Sequence, residues 1–280
     1  MSFNFASAIK DGQERLKNKN VSLILLGPSG SGKSRACGTF GVKTLYLHTS
    51  GESHGPASAA AGGSEILPIC IDKDGDKQLS ADETYARLLE ILSSTQELKK
   101  LGIGAVALDG ATELESLIQN TTAWKAKLAA EYKGVKSYAG DLTLGMFRPI
   151  LLGLQRLQAE INVHYVITCI LSVREYGENN EILDASPSLY GFNVATGLIQ
   201  QFPDILVIGQ VSDGERARPA IQLGSHASKA TKDQKSQEVR KLSNFYNRIT
   251  GADLTTCPDL MKPNLKLVAE IKKLGHYPEA

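Results

Sequence analysis

Eight consecutive residues, 27 to 34, have the types and spacing of a phosphate-binding loop. They read Gly-Pro-Ser-Gly-Ser-Gly-Lys-Ser, which satisfies every fixed position of the GxxxxGK[ST] pattern, and an apolar run leads straight into them. In such a loop backbone N–H groups point at phosphate oxygens, the lysine spans the β- and γ-phosphates, and the serine hydroxyl binds Mg²⁺. The predicted nucleotide-binding residues are Gly27, Pro28, Ser29, Gly30, Ser31, Gly32, Lys33, Ser34 and Arg35.

A second metal ligand is expected at the end of another strand. The apolar run from Ala105 to Leu108 is followed by Asp109. An aspartate in this position completes the Mg²⁺ shell beside a phosphate loop, so Ser34 and Asp109 are the predicted metal ligands. Glu113 follows four residues later. It could polarise a water molecule, or it could simply occupy the first turn of the next helix, where the helix dipole favours carboxylates.

The elements that must position these residues are visible as apolar runs separated by helical patterns. The runs cover residues 21–26, 44–47, 66–71, 105–108, 163–171 and 205–211. Continuously apolar runs joined by helices indicate an α/β fold with a mostly parallel sheet flanked by helices. Ser80 and Glu83 predict a capping box at the start of one helix.

Composition and charge argue against a membrane protein, a secreted protein and a zinc-binding protein. The chain has 280 residues, of which 42% are hydrophobic, and a net charge of +1. No stretch approaches the roughly 18 apolar residues of a membrane span, and the first residues lack the features of a secretory signal, so we expect a cytoplasmic protein without a membrane partner. The four cysteines lack zinc-site spacing and are interpreted as core or surface residues. Any contact with DNA must come from a local basic patch.

One further pattern has two interpretations. Residues 72 to 83 match several positions of a calcium-binding EF-hand loop, but Lys77 replaces the glycine that makes its sharp turn. The alternative, which we favour, is a solvated turn that connects a strand to the capped helix.

The order of elements resembles the RecA-type ATPase core, and within it the minimal RecA-core ATPases of tailed phages that are grouped with single-strand annealing and recombination proteins. That order is a phosphate loop, a strand ending near an acidic residue, a Walker B strand, a long helix, then a strand with a polar loop and a helix–strand unit. The resemblance covers about residues 20–212. It implies a RecA-like P-loop NTPase sheet, with residues 1–20 as an N-terminal arm, 21–224 as the ATPase core and 225–280 as a basic loop and C-terminal extension.

The resemblance also implies cofactors, partners and a reaction. ATP and Mg²⁺ are the expected cofactors, and the expected activity is DNA-dependent ATP hydrolysis. Single-stranded DNA is the expected partner, together with further copies of the chain in a ring or filament and a phage single-strand binding protein. If the chain is phage-encoded, it would act in the host cytoplasm.

Catalytic roles follow from the same resemblance. In the family the catalytic glutamate lies just after the second core strand, where this chain has Ser50, with Glu52 two residues later. Glu52 is the first candidate for the general base and Glu113 the second. The family's γ-phosphate sensor position, usually Gln, carries Ser172 here.

Candidate DNA contacts lie in two stretches, 132–138 and 172–190, at the places of the family's DNA loops. Both mix cations for phosphate with aromatic rings for base stacking. The second stretch also carries acidic residues and could instead form a β-hairpin. The basic segment 229–241 is a further patch or a solvated loop. The predicted DNA-binding residues are Lys133, Lys136, Tyr138 and Arg174.

Subunit contacts are suggested at both ends of the core. Residues 3–8 contain the Phe-x-x-Ala pattern twice, which docks into a neighbour in archaeal and eukaryotic RecA-like recombinases. An amphipathic N-terminal helix that packs on its own core is the alternative. Arg216 and Arg218 are the first candidates, and Lys229 the next, for a cation that reaches the γ-phosphate bound by a neighbouring subunit.

Three functions are compatible with these features. The first is an ATPase that acts on single-stranded DNA in phage recombination or replication. The second is an ATP-regulated loader or assembly scaffold with weak hydrolysis, which the serine at position 50 favours. The third is a small-molecule or nucleotide kinase, which is disfavoured because no arginine-rich lid follows the phosphate loop.

Overall fold

The computed structural model describes residues 20–132, 139–176, 182–189, 204–213 and 216–222, together with residues 194, 197, 198 and 202. The strands in this part of the chain are β1 (Ser22–Gly27), β2 (Thr44–His48), β3 (Ile66–Cys70), β4 (Lys73–Asp74), β5 (Lys77–Gln78), β6 (Ala105–Leu108), β7 (His164–Tyr176), β8 (Ile182–Pro187), β9 (Asp204–Asp213) and β10 (Arg216–Gln222). The α-helices are α1 (Lys33–Cys37), α2 (Gly55–Ala60), α3 (Ala81–Ser93), α4 (Thr95–Lys100), α5 (Ala111–Asn120), α6 (Thr122–Tyr132) and α7 (Ala139–Ile161).

The main sheet confirms the predicted α/β fold. Its strands lie in the order β10-β9-β1-β7-β6-β2-β3, and the six strands from β9 to β3 in this order pair in parallel. Strands β10 and β8 pair antiparallel to β9 and β7. Along the chain, β1, β2, β6, α7, β7 and β9 follow one another as in the order of elements given above for the RecA-type core.

Burial of the central strands explains why their sequences are continuously apolar. Every residue of β1, β2 and β6 is buried, because neighbouring strands lie on both sides and helices pack on the sheet. The long helix α7 contributes an apolar stripe, which contacts α3. The buried residues of this stripe include Phe147, Ile150, Leu151, Leu154 and Leu157.

The capping box is confirmed. The Ser80 hydroxyl accepts from the Glu83 N–H at 3.2 Å, and the Ser80 N–H donates to the Glu83 carboxylate at 2.8 Å. The segment that resembles an EF-hand loop forms the short hairpin β4–β5 after strand β3. Within that segment Lys77 contacts Glu83 at 3.3 Å.

One strand extends well beyond its predicted end. Strand β7 was expected to end at Leu171, but it continues to Tyr176 and pairs with β8. The hairpin alternative for residues 172–190 is therefore the one observed in the described part of that stretch.

Several predictions fall outside the described residues. These are the Phe-x-x-Ala segment, Lys133, Lys136, Tyr138 and the residues from 223 onward, which include Lys229. Of Arg174, Arg216 and Arg218 the structure gives only the strand, which is β7 for the first and β10 for the other two. In the part of the chain that can be searched, no helix combines the length and the apolar character needed to cross a membrane.

Candidate functional site

The phosphate loop connects β1 to α1 and depends on glycine for its shape. Gly30 and Gly32 have φ angles of 75° and 94°, in the left-handed region that side chains disfavour. The Lys33 ammonium folds back over the loop and donates to the carbonyl oxygens of Gly27 at 2.9 Å and Pro28 at 2.8 Å. Burial lowers the pKa of Lys33, and the nearby Asp109 carboxylate opposes that change. The loop thus presents a half-buried cation whose hydrogen bonds within the described residues go to neutral carbonyl groups.

The two predicted metal ligands meet. Asp109 follows β6 and is only 4% exposed. The Ser34 hydroxyl donates to its Oδ2 atom at 2.7 Å, across 75 positions of sequence. Parallel strands bring this contact about, because their carboxyl ends lie at the same edge of the sheet.

Two further hydroxyl groups, which the sequence analysis did not identify, also bind the Asp109 carboxylate. Tyr46 on β2 donates to Oδ2, and Thr168 on β7 donates to Oδ1. Both side chains are almost fully buried, with exposed fractions of 0% and 1%. The only signal in the sequence is a polar residue within each apolar run, which does not by itself say where its hydroxyl group points.

Thr168 also connects Asp109 to the start of α5. Its hydroxyl oxygen accepts from the Gly110 N–H at 2.9 Å. Gly110 has a φ of 101°, and a Cβ atom there would lie 2.6 Å from the Glu113 Oε2 atom. Glu113 therefore packs against the backbone in the first turn of α5, and its buried Oε2 atom has no hydrogen-bond partner among the described residues.

Glu52 and Ser50 lie on a 3₁₀ turn, Ser50–Glu52, directly after β2. Ser50 is bound to Asp72 through its N–H at 2.8 Å and its hydroxyl at 2.7 Å. Glu52 instead faces the cavity beside the phosphate loop. Burial raises the pKa of Glu52, the carboxylates of Asp109 and Glu113 raise it further, and Lys33 lowers it.

The cavity has a volume of about 450 Å³. On β7 it contacts Thr168 and Ile170, whereas Ser172, the expected sensor position, is exposed farther along the strand. No contact of Ser172 tests its expected sensor role, which therefore stays a prediction. The lining residues are Ser29, Gly30, Gly32, Lys33, Ser34, Arg35, Glu52, His54, Gly55, Ser58, Asp109, Gly110, Thr168 and Ile170.

The donor atoms fit Mg²⁺ together with a nucleotide. Mg²⁺ prefers oxygen ligands and is usually held by one or two carboxylates plus substrate phosphates. Ser34 and Asp109 supply a hydroxyl and a carboxylate oxygen at one end of the cavity. Within the described ranges no group of three or more His, Cys, Asp or Glu side chains could hold a metal alone. Bound phosphate groups and water molecules would supply the remaining ligands.

Comparison with known proteins gives a distant likeness only. No protein-family model and no curated protein matches the chain. It is similar to the crystal structure of a KaiC-like protein from the hyperthermophilic archaeon Pyrococcus horikoshii OT3, with a TM-score of 0.38 and 9% identity over 72% of this chain and 77% of that one. It is also similar to the crystal structure of the RadB recombinase, with a TM-score of 0.37 and 15% identity over 72% and 80% of the two chains. At these scores neither likeness supports a conclusion about activity.

Proposed function

We propose that this chain is a RecA-like ATPase that binds ATP with Mg²⁺, hydrolyses it, and acts on single-stranded DNA in phage recombination or replication. The observation that carries the nucleotide part is the contact of 2.7 Å between Ser34 and Asp109 beside Lys33, within one cavity. A lone GxxxxGK[ST] pattern could be a turn of no function. A buried carboxylate placed against the serine of that pattern is what a Mg²⁺–nucleotide site requires.

Lys33 exchanges partners when nucleotide binds. In this structure its ammonium group donates to two neutral carbonyl oxygens of the loop. Phosphate oxygens are charged acceptors and form stronger hydrogen bonds with a cation. We expect the ammonium to turn from Gly27 and Pro28 to the β- and γ-phosphates, where it also stabilises charge as the γ-phosphoryl group is transferred.

Glu52 is the side chain best placed to take a proton from the attacking water. It lines the same cavity as Lys33 and Asp109, and its raised pKa brings it closer to the working pH of a general base. Ser34 and Asp109 would hold Mg²⁺, which neutralises charge on the transferred phosphoryl group. Glu113 packs against Gly110 and does not line the cavity, which makes it the second candidate.

The DNA and subunit parts of the proposal rest on sequence. Lys133, Lys136, Tyr138 and Arg174 are the proposed contacts to single-stranded DNA. In a ring or filament of identical subunits, Arg216 or Arg218 of a neighbour would complete the nucleotide site.

One observation favours a second function, an ATP-regulated loader or scaffold with weak hydrolysis. At the position of the family's catalytic glutamate this chain has Ser50. The N–H and the hydroxyl group of Ser50 both donate to the Asp72 carboxylate. If Glu52 cannot align the water, ATP would control assembly without rapid turnover.

Measurement of ATP binding and turnover, with and without single-stranded DNA, tests the proposal. We expect Lys33→Ala to abolish nucleotide binding or turnover while the chain stays folded, because among the described residues the hydrogen bonds of Lys33 go to loop carbonyls. The matched control is Lys77→Ala, which removes an exposed lysine from the β4–β5 hairpin. Wild-type ATP affinity in folded Lys33→Ala would refute the phosphate-loop assignment. Tight binding with negligible turnover would favour the loader.

A further inference from the structure

We infer that Tyr46 is a positioning residue for Mg²⁺, whose hydroxyl group holds the Asp109 carboxylate in the orientation that the metal needs. This inference rests on the proposed nucleotide function. It assigns to β2, a strand outside the phosphate loop and the Walker B strand, a part in metal binding that acts through Asp109.

The location of Tyr46 explains how it reaches the carboxylate. Strand β2 lies next to β6, and Tyr46 pairs with Ala107, two residues before Asp109. Its side chain has no exposed surface. A phenylalanine would bury a similar apolar area here, whereas a buried tyrosine hydroxyl requires a partner. That partner is Asp109 Oδ2.

The three hydroxyl groups that bond to Asp109 have different roles. Ser34, a predicted metal ligand like Asp109 itself, comes from the phosphate loop. Tyr46 and Thr168 come from two strands that flank β6, and they bond to different oxygens of the carboxylate. The two strand residues thus fix the plane of the carboxylate from opposite sides of β6. Removal of a group that orients a metal-binding carboxylate typically lowers the affinity for the metal.

The backbone at Gly55 closes over this contact. A Cβ atom at Gly55 would lie 2.6 Å from the Tyr46 hydroxyl oxygen and 3.0 Å from Asp109 Oδ2. Any larger residue must therefore displace the hydroxyl, the carboxylate or the first turn of α2. Gly55 also follows Glu52 by only three residues, so the segment that carries the candidate base packs on the pair that orients the metal ligand.

Tyr46→Phe tests the inference directly, with Tyr85→Phe as the matched control. Tyr85 is half-buried and donates to the carbonyl oxygen of Met146 at 2.7 Å, so its variant also loses one internal hydrogen bond. The probe is a fluorescent ATP analogue, titrated at increasing Mg²⁺ concentration on the full chain. We expect Tyr46→Phe to raise the Mg²⁺ concentration for half-maximal binding by roughly 10- to 100-fold. Tyr85→Phe should leave that midpoint unchanged.

Other outcomes overturn the inference in distinguishable ways. An unchanged midpoint in Tyr46→Phe would show that the hydroxyl group is structural only. A lower midpoint would show that it competes with the metal. If the wild type itself fails to bind the analogue at any Mg²⁺ concentration, the proposed function fails and the inference fails with it.

Gly55→Ala gives a second, independent test through the same contact. We expect it to raise the Mg²⁺ midpoint as Tyr46→Phe does, because the added methyl group must push on the hydroxyl or the carboxylate. In the Tyr46→Phe background the added effect should be smaller, since the closest atom has been removed. Strictly additive effects would contradict the inference, because residues that act through one contact are not additive.

Discussion

At the scale of single residues, hydroxyl groups stabilise and orient the buried carboxylate of this site. An ionised carboxylate is costly to bury unless it is hydrogen-bonded. Asp109 is 4% exposed, and Ser34, Tyr46 and Thr168 all donate to it. The buried carboxylate is therefore tolerated because three separate elements supply donors, and the same donors fix its direction toward the cavity.

Glu52 gives a prediction about pH. A general base works only when it is deprotonated, so the rate of ATP hydrolysis should fall as the pH drops below the Glu52 pKa. Because burial and the carboxylates of Asp109 and Glu113 raise that pKa, the fall should begin above the range of an ordinary glutamate, which is about pH 4.3. We expect Glu52→Gln to keep ATP bound, to slow hydrolysis by roughly 10²–10⁴, and to remove this part of the pH profile.

Glu113→Gln is the matched control for that measurement, since it changes a neighbouring glutamate in the same manner. It should retain most of the turnover and the acid limb of the profile. If Glu113→Gln alone abolished both, the order of the two candidate bases would be reversed.

At the scale of elements, the ends of β2 and β3 are joined by Asp72. Its carboxylate accepts from Ser50, from the Cys70 thiol at 3.1 Å and from the Gln78 amide at 3.0 Å. Burial alone would raise the pKa of Asp72, but these hydrogen bonds outweigh it and lower the pKa to about 2. The hairpin β4–β5 and the turn that carries Glu52 are thus bound to one carboxylate.

The lowered pKa predicts a stability change in acid. The unfolded chain binds a proton at Asp72 near pH 3.9, whereas the folded chain does so near pH 2. The stabilisation, about 2 kcal/mol, is therefore present above pH 4 and is lost as the pH falls from about 4 to about 2. In urea unfolding over this range we expect Asp72→Asn to flatten the decline in the free energy of unfolding.

Asp74→Asn is the control, because Asp74 is exposed on the adjacent hairpin. It should leave the pH dependence of the wild type intact. An equal acid-induced loss in wild type and Asp72→Asn would contradict the role of the Asp72 hydrogen bonds.

Local sequence patterns predicted the helices and strands well, whereas side-chain contacts between distant strands could not be predicted from them. The Ser80–Glu83 box and the phosphate loop each lie within one short segment, so their chemistry can be inferred from spacing alone. The Ser34–Asp109 contact was predictable because each of the two residues belongs to a recognisable sequence motif. The contact from Tyr46 depends on which strands are neighbours and on which side of β2 the ring lies, and neither is encoded locally. For residues 172–176 the sequence left a DNA-binding loop and a β-hairpin open, because polar residues do not show by themselves that their backbone pairs with another strand, as it does here with β8.

At the scale of the whole molecule, the residues of the candidate site lie along one edge of the parallel sheet. The phosphate loop follows β1, the turn with Glu52 follows β2, and Asp109 follows β6, while β7 contributes Thr168. These strands are far apart in sequence, and their parallel pairing places their carboxyl ends together. A nucleotide bound in the cavity would contact the segments that follow β1, β2 and β6, together with Thr168 and Ile170 of β7.

Binding of single-stranded DNA is the prediction that decides between recombinase and loader. With a net charge of only +1, the chain has no general attraction for nucleic acid, so affinity must come from a local patch. If Lys133, Lys136 and Arg174 contact phosphates, affinity should fall with salt, and their joint replacement by alanine should make that dependence shallower by about 0.7 per lost contact. The matched control replaces the exposed lysines 73, 77 and 100, which changes the net charge equally.

Tyr138 separates stacking from charge in the same experiment, which is fluorescence anisotropy of a labelled oligonucleotide across a salt series. Tyr138→Ala should cost about 1–3 kcal/mol of binding free energy through lost base stacking, and the salt dependence should stay almost unchanged because no cation is removed. Binding that survives the triple replacement would point to the basic segment 229–241. No binding at low salt, with or without a non-hydrolysable ATP analogue, would exclude the recombinase and favour the loader, because ATP would then control assembly without DNA.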